Sequence, residues 1–478
     1  MEKDRDLGSA PLRVGLFIDC YYPMVDGVVH VVDNLARNMI AAGAEVTVFA
    51  PTADKKYDDA QLPYRVVRGP SLRVGFMDYT LPLLSFSARF KREIRRAKLD
   101  VMHIHAPFVS GPIAEKIAKK QGVPVIGTFH SQYKKDFARY LKSRFLQKRL
   151  LSHVVKVFDR CDLVLTMTEA TEAVARSYGC KAKIALLPNG TNLKETEKTA
   201  AAAAEVAARY RENPRQKLLL FVGRLYLLKN LELAIDACAR LRDRGFDFKF
   251  LLVGWGKDEE VLRRQVRDLS LEERVLFVGR VDGAENLGAY YKACDLLLFP
   301  SAYDMDPLVK NEAAAFSLPA ILAEGTPAAS GVTDGVNGYI APLGADAFAE
   351  RIISALSDEA AHAAVRARAH ETLYRPWDEI AAEHLRLYRK EIARKAAQGE
   401  KTRGGVDNPS NLIGIIENTA LRLAAGHLCV AGAPLRAERT VPQFCAGRLC
   451  TGAGIPQYRK NTASRLAAGR FRVPRQAA

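Results

Sequence analysis

The chain has 478 residues, too many for one ordinary hydrophobic core, so two domains with additional segments are expected. Its 48% hydrophobic content is that of a globular protein, and no uninterrupted apolar run reaches the roughly 20 residues of a membrane span. The formal charge of +17 bears on partners rather than on fold, and about half lies in the tail: from Lys401 onward twelve Lys and Arg face only Asp407, Glu417 and Glu438, a local excess of +9.

Residues 1–10 are polar and charged, which reads as a flexible N-terminus rather than a secretion leader and makes the cytoplasm the expected location. Short apolar runs then alternate with helical patterns. Strands are expected over 12–18, 45–50, 100–105, 124–129, 162–167 and 184–187, apolar on both faces as buried parallel strands are. Between the first two, Val28, Val31, Val32, Leu35 and Met39 mark one helical face, with Gly43 as a stop. A charged, alanine-rich stretch over 194–216 reads as a domain end and linker. The alternation restarts with strands over 217–222, 248–253, 274–278, 295–300 and 319–322 and a helix over 231–241. Strands alternating with helices predict parallel sheets covered on both faces. A last helical pattern over 374–395 carries Trp377, Ile380, Leu385 and Leu387 on one face. Beyond it Gly, Pro, Arg and Ser predict a largely disordered tail over 399–478, with one helix-like stretch at 412–425. Cys20, Cys161, Cys180, Cys238 and Cys294 sit singly in apolar segments and read as buried thiols. Cys445 and Cys450, the one close pair, lack the second ligand pair of a zinc site, so no metal is expected.

Open parallel sheets bind ligands beyond the carboxyl ends of their strands, so polar residues there are the candidates. The first strand runs into Asp19, Cys20, Tyr21 and Tyr22, and then Asp26 and Gly27 open a helix, where bare backbone and the helix N-terminus suit an anion. No G-x-G-x-x-G follows that strand, which argues against a nicotinamide dehydrogenase. His103 and His105 close the strand over 100–105, and His130 closes the one over 124–129, shortly before Tyr133. His105 and His130 are therefore expected to line a cleft. Gly223, Arg224 and Lys229 leave the strand over 217–222 together, a fork and a point charge suited to a diphosphate. After the strand over 295–300, Asp304 lies in the loop, Leu308 and Val309 at a helix start, and Glu312 within that helix. This arrangement offers a carboxylate for sugar hydroxyls, backbone N–H groups for phosphate and a carboxylate for a ribose diol.

Together these residues resemble glycosyltransferase family 4, retaining nucleotide-sugar enzymes of the GT-B fold. The family pairs an acidic residue with a Glu eight positions on, followed by small residues; here these are Asp304, Glu312 and Ala313-Ala314-Ala315. The first member is more often Glu, so Asp304 is a shortened variant. Gly223-Arg224-Leu225 with Lys229-Asn230 matches the phosphate-binding segment, and Asp26-Gly27-Val28 the N-terminal glycine loop. Pro188-Asn189-Gly190, Gly254 with Gly256, Gly279, and Asp334-Gly335 with Asn337-Gly338 follow in the family's order. The likeness runs from about Leu12 to Lys395.

The resemblance implies two Rossmann-like domains facing across a cleft: an acceptor-side domain over 11–205, a donor domain over 206–375, and a helix over 376–398 returning to the first. It implies that Arg224 and Lys229 neutralise the departing diphosphate, that Gly27, Gly223 and Gly254 approach the donor, and that the backbone near Arg280 meets the base. Leu308, Val309 and Glu312 would hold phosphate and ribose. Asp304 and His130 would border the sugar, and Asp19, Tyr22, His105, His130 and Tyr133 the acceptor side. A UDP-sugar donor and no metal or other cofactor are expected. Basic residues mixed with aromatics, at Arg89 to Lys98 and from Lys134 to Lys156, suit an anionic membrane surface. The expected acceptor is accordingly a glycan or a membrane lipid such as a diacylglycerol or glycolipid, met peripherally at the inner face of the plasma membrane. Two alternatives remain at this point: an epimerase or phosphorylase of the same fold, and a non-catalytic protein binding nucleic acid through its basic tail. The tail lacks a recognisable motif and has few aromatics to stack bases, so no nucleic acid is expected.

Overall fold

The structure is a computed structural model, and it describes residues 10–24, 26–53, 57–73 and 80–398. The expected disordered tail with its helix-like stretch, Cys445, Cys450 and the first nine residues lie outside the described residues.

In chain order the first half carries β1 (Arg13–Phe17), α1 (Gly27–Ala41), β2 (Glu45–Pro51), β3 (Arg65–Gly69), an antiparallel pair β4 (Ser71–Arg73) and β5 (Thr80–Pro82), α2 (Ala88–Arg96), β6 (Val101–Ile104), α3 (Ser110–Gln121), β7 (Val125–Thr128), α4 (Tyr133–Tyr140), α5 (Arg144–Asp159), β8 (Leu163–Thr166), α6 (Glu169–Ser177) and β9 (Ile184–Leu186). Its parallel sheet has the order β3-β2-β1-β6-β7-β8-β9. Valines, leucines and isoleucines on both faces of β1, β6, β7 and β8 drive this, because each strand is covered by helices on two sides. Phe17 and Phe49 stack across neighbouring strands with centroids 4.7 Å apart. Asp26 caps α1 by accepting from the Val29 N–H at 2.8 Å, and α1 then buries Val29, Val32, Leu35 and Met39.

The second half carries α7 (Glu197–Tyr210), β10 (Lys217–Val222), α8 (Leu231–Asp243), β11 (Phe248–Val253), α9 (Glu259–Asp268), β12 (Val275–Gly279), α10 (Ala284–Ala293), β13 (Leu296–Phe299), α11 (Leu308–Ala315), β14 (Ala320–Ala323), β15 (Tyr339–Ala341), α12 (Ala345–Ser357), α13 (Glu359–Leu373) and α14 (Trp377–Gln398). Its parallel sheet has the order β12-β11-β10-β13-β14-β15. The alanine-rich segment that reads as a linker is largely the helix α7, capped by Thr196 and packed on α10. Alanine's high helix propensity supplies this helix even though few large apolar residues mark its face. The chain returns at α14, whose Trp377, Ile380, Leu385 and Tyr388 join the core formed by β1 and α1. The Thr191 carbonyl accepts from Trp377 N–H, and Thr191 N–H donates to Arg375, so the two crossings between halves lie side by side.

Strand order reverses between β1 and β6 in one sheet and between β10 and β13 in the other. A reversal sends the helices that follow to opposite faces and leaves a crevice at the strand ends. The loops at these two crevices carry the candidate residues.

Candidate active site

On the second sheet, Gly223 leaves β10 with φ 148°, and Gly254 leaves β11 with φ 137°. A Cβ on Gly254 would lie 1.9 Å from the Gly223 carbonyl oxygen, so only glycine lets these two strand exits touch. Arg224 follows, with its guanidinium 5.6 Å from the Tyr226 ring centroid. Lys229, at the end of a short turn into α8, meets Asp304 from the β13–α11 loop at 2.5 Å. Both side chains are about one-fifth exposed. Asp304 also accepts from the Ser301 hydroxyl. The loop after β10 and the loop after β13 are thus joined by a cation and a carboxylate at the crevice.

Helix α11 begins at Leu308 after Pro307, which makes no side-chain cap, so its first N–H groups, those of Leu308 and Val309 among them, have no cap side chain to satisfy them. Glu312, one turn on, accepts from the Tyr291 hydroxyl at 2.6 Å, and burial pushes its carboxyl above the usual range. Arg280, just past β12, is exposed and pairs with Asp282 at 2.7 Å.

On the first sheet the outcome is divided. Gly27 opens α1 with nothing within 4 Å of where its Cβ would stand. Burial dominates the pKa of Cys20 and of His30 in this half, and the Arg224 charge acts to lower both, so its field reaches the side of the cleft where α1 begins. His130 is partly exposed at the end of β7, with Nε2 3.0 Å from Nδ1 of buried His105. Three other residues expected on the acceptor side are engaged elsewhere. Asp19 accepts from the backbone N–H groups of Phe108, Val109 and Ser110 at 2.7 to 3.2 Å, and so holds the start of α3. Tyr22 donates to Asp33 at 2.8 Å and stacks on Tyr57. Tyr133 is buried among Phe108, Phe129, Phe137 and Phe158.

Several contacts at the cleft were not singled out from sequence. Gln132 donates to the carbonyls of Ala302 and Tyr303 at 3.2 and 2.8 Å, and Lys135 to that of Ala302 at 2.9 Å. The Tyr303 hydroxyl donates to Asp136 on α4, and Met305 is buried in the first half's core. Asp306 and Lys310 form a buried pair at 3.1 Å, which Asn189 extends by donating to Asp306. His30, one turn into α1 beside Asp26 and Asp33, was likewise not singled out, although its position three residues after Gly27 was a usable signal. Among the described residues no group of three or more His, Cys, Asp or Glu gathers to hold a metal.

Two facing parallel sheets with these crevices match solved glycosyltransferases. Anabaena HepE in complex with UDP and glucose superposes with a TM-score of 0.63 at 18% identity, over 79% of this chain and 99% of that one. Sucrose-phosphate synthase from Thermosynechococcus elongatus gives 0.63 at 23% identity, over 80% and 100%. The fold is GT-B. A family profile described as Glycosyltransferase Family 4 matches residues 25–195, and one described as Glycosyl transferases group 1 matches residues 204–372. An alpha-monoglucosyldiacylglycerol synthase of Acholeplasma laidlawii is 28% identical over 68% of this chain and 84% of its own length. A GDP-mannose-dependent alpha-mannosyltransferase of Corynebacterium glutamicum is 26% identical over 80% and 90%. The chain belongs to glycosyltransferase family 4, and its enzymatic class is that of a hexosyltransferase.

Proposed function

We propose that the enzyme moves a hexose, with retention of anomeric configuration, from a UDP-sugar to a hydroxyl of a membrane lipid of the diacylglycerol or glycolipid class. The observation that carries the donor half is the Lys229–Asp304 pair, which joins the loops after β10 and β13, with Arg224 leaving the same strand end as Lys229 and the uncapped start of α11 four residues past Asp304. Departure of the nucleoside diphosphate is the costly event. Arg224, Lys229 and the Leu308 and Val309 N–H groups neutralise its charge, and fixed donors of this kind need no reorganisation as that charge develops. Glu312 takes the ribose diol, exchanging or sharing its bond to Tyr291, while Gly254 and the Arg280 backbone border the nucleoside. Asp304 and His130 border the sugar. The bond from C1 to the phosphate oxygen breaks, the bond from C1 to the acceptor oxygen forms on the same face, and the acceptor proton passes to the leaving phosphate. A covalent glycosyl-enzyme trapped on any carboxylate would overturn this route. The residues supply the charge stabilisation themselves, so the reaction is proposed to run without a metal.

The acceptor half rests on surface chemistry and on the relative named for diacylglycerol. Phe86 is 70% and Phe145 71% exposed, and both the Leu84–Phe86 turn and α5 pack against α3. Arg89, Arg92, Arg95 and Arg96 on α2, and Arg144, Lys148 and Arg149 on α5, are exposed beside them. Exposed rings among cations suit the interface of an anionic bilayer. Phe90 and Phe137, by contrast, turn into the core.

The test is a panel of UDP- and GDP-hexoses incubated with vesicles with and without diacylglycerol, scored by nucleoside diphosphate release and by the anomeric coupling of the product. Lipid-dependent release from UDP-hexose, a retained anomer, activity in chelator and loss of release in Arg224→Ala are expected. Release that survives Arg224→Ala refutes the phosphate site.

A further inference from the structure

The pair His105 and His130 carries more than a position. His105 Nδ1 lies 3.0 Å from His130 Nε2, and His105 Nε2 is buried with no hydrogen-bond partner. His103 packs on His105 with ring centroids 4.1 Å apart. It offers no proton site to spare: its Nδ1 meets the Tyr388 hydroxyl and its Nε2 the Thr128 hydroxyl, both at 2.6 Å. Burial pushes His103 and His105 well below the ordinary imidazole range and His130 down to about 3, so each ring is neutral and has a single N–H.

Two arrangements can fill the bond between His105 and His130. If His130 donated from Nε2, the lone proton of His105 would sit on Nε2, a buried donor with no acceptor. If His105 donates from Nδ1, its Nε2 is only an empty acceptor. Orphaned buried N–H groups are the rarer and costlier defect, so the second arrangement wins.

We propose that His105 is a positioning residue that locks His130 as the Nδ1–H tautomer, so that His130 offers the cleft a hydrogen-bond donor and no base. This inference rests on the proposed placement of His130 beside the donor sugar, where Nδ1–H would donate to a sugar oxygen. It excludes His130 as the group that removes the acceptor proton: one nitrogen is protonated and the lone pair of the other is occupied.

The test is long-range proton–nitrogen NMR on the full enzyme with nitrogen-15 histidine, His130 being assigned by difference from His130→Ala. Nδ1–H is expected for His130 in the wild type. Asn at 105 can place its amide N–H where Nδ1 stands, so His105→Asn should keep that tautomer and most of kcat. His105→Leu cannot donate. There His130 should shift to Nε2–H and kcat should fall about tenfold, the worth of one hydrogen bond, more than donor KM changes. Circular dichroism and thermal unfolding establish that both variants fold. A wild-type Nε2–H tautomer overturns the inference, as does equal kcat in folded His105→Asn and His105→Leu. An Nδ1–H tautomer with kcat and donor KM indifferent to His130→Ala overturns instead the placement of His130 at the sugar.

Discussion

Acid should loosen the grip of α14 on the first sheet, and the size of the effect follows from its buried histidines. His384 on α14 is 7% exposed, bonds the Ile380 carbonyl through Nδ1 at 2.8 Å and packs near His103. Burial pushes its imidazolium down to about 4, against about 6.5 in an unfolded chain. The folded state therefore binds fewer protons than the unfolded state below pH 6.5, and stability falls as pH falls through that window toward 4. At pH 5 the unfolded ring is almost fully protonated and the folded ring about one-tenth, which costs about 2 kcal/mol. His130, pushed to about 3, adds a similar amount, and His103 and His105 shift the same way. A loss of about 4 kcal/mol is a large fraction of the 5–15 typical of a domain. Buried carboxyls raised above their usual range, Asp19, Glu115 and Glu312 among them, oppose this as pH falls through their raised values. Urea unfolding at pH 7.5, 6.0 and 5.0 measures the slope, and His384→Leu isolates one residue by flattening it about 2 kcal/mol at pH 5. A wild-type midpoint unchanged between pH 7.5 and 5.0, or an equal slope in His384→Leu, would refute the reasoning.

Lys310→Met should leave Asp306 buried without its cation, costing about 3–5 kcal/mol and roughly 10 °C in Tm by calorimetry, with partial recovery in the double variant with Asp306→Asn. Gly254→Ala should push the β10 exit out of place, because the added methyl cannot share 1.9 Å with the Gly223 carbonyl. Titration calorimetry should then find UDP binding weakened about tenfold or more in a folded protein. Phe86→Ser with Phe145→Ser should cut sedimentation with anionic vesicles by about tenfold or more while leaving nucleoside diphosphate release to water unchanged.

Much of this arrangement was legible because chemistry and periodicity coincide at strand ends. The apolar runs that became β1, β6, β7, β10, β11 and β13 are buried on both faces, so their composition alone marks them. Arg65–Gly69 escaped because β3 is a sheet edge where two arginines interrupt the apolar run, Arg65 pairing with Glu93 and Arg68 with Asp59. β15 is only three residues long. Arg224, Lys229 and Asp304 could be picked out because cations and carboxylates after an apolar strand are conspicuous. The use of Asp19 could not, since its partners are backbone N–H groups 89 to 91 residues away. Tyr133 follows His130 past a strand end, yet its ring fills an aromatic cluster that depends on α5 folding over α4. Distances along the chain hide such partnerships.

The loop bearing Asp304 gathers the two halves into one device. Its backbone carbonyls at 302 and 303 are held by Gln132 and Lys135 of the first half, and its Tyr303 hydroxyl by Asp136. Its carboxylate meanwhile holds Lys229 of the second half. Gln132 and Tyr133 follow His130 by two and three residues, so the segment that orients His130 also anchors the loop that orients Asp304. Met305 strengthens the anchor by burying its side chain in the first half's core. Relative movement of the halves must therefore either carry this loop along or break at least three hydrogen bonds and expose Met305. The Lys229–Asp304 pair is the weaker link, because it is partly solvated, whereas the Met305 anchor is buried. Opening of the cleft should accordingly part Lys229 from Asp304 first, leaving the loop on the acceptor side and freeing the lysine for the diphosphate.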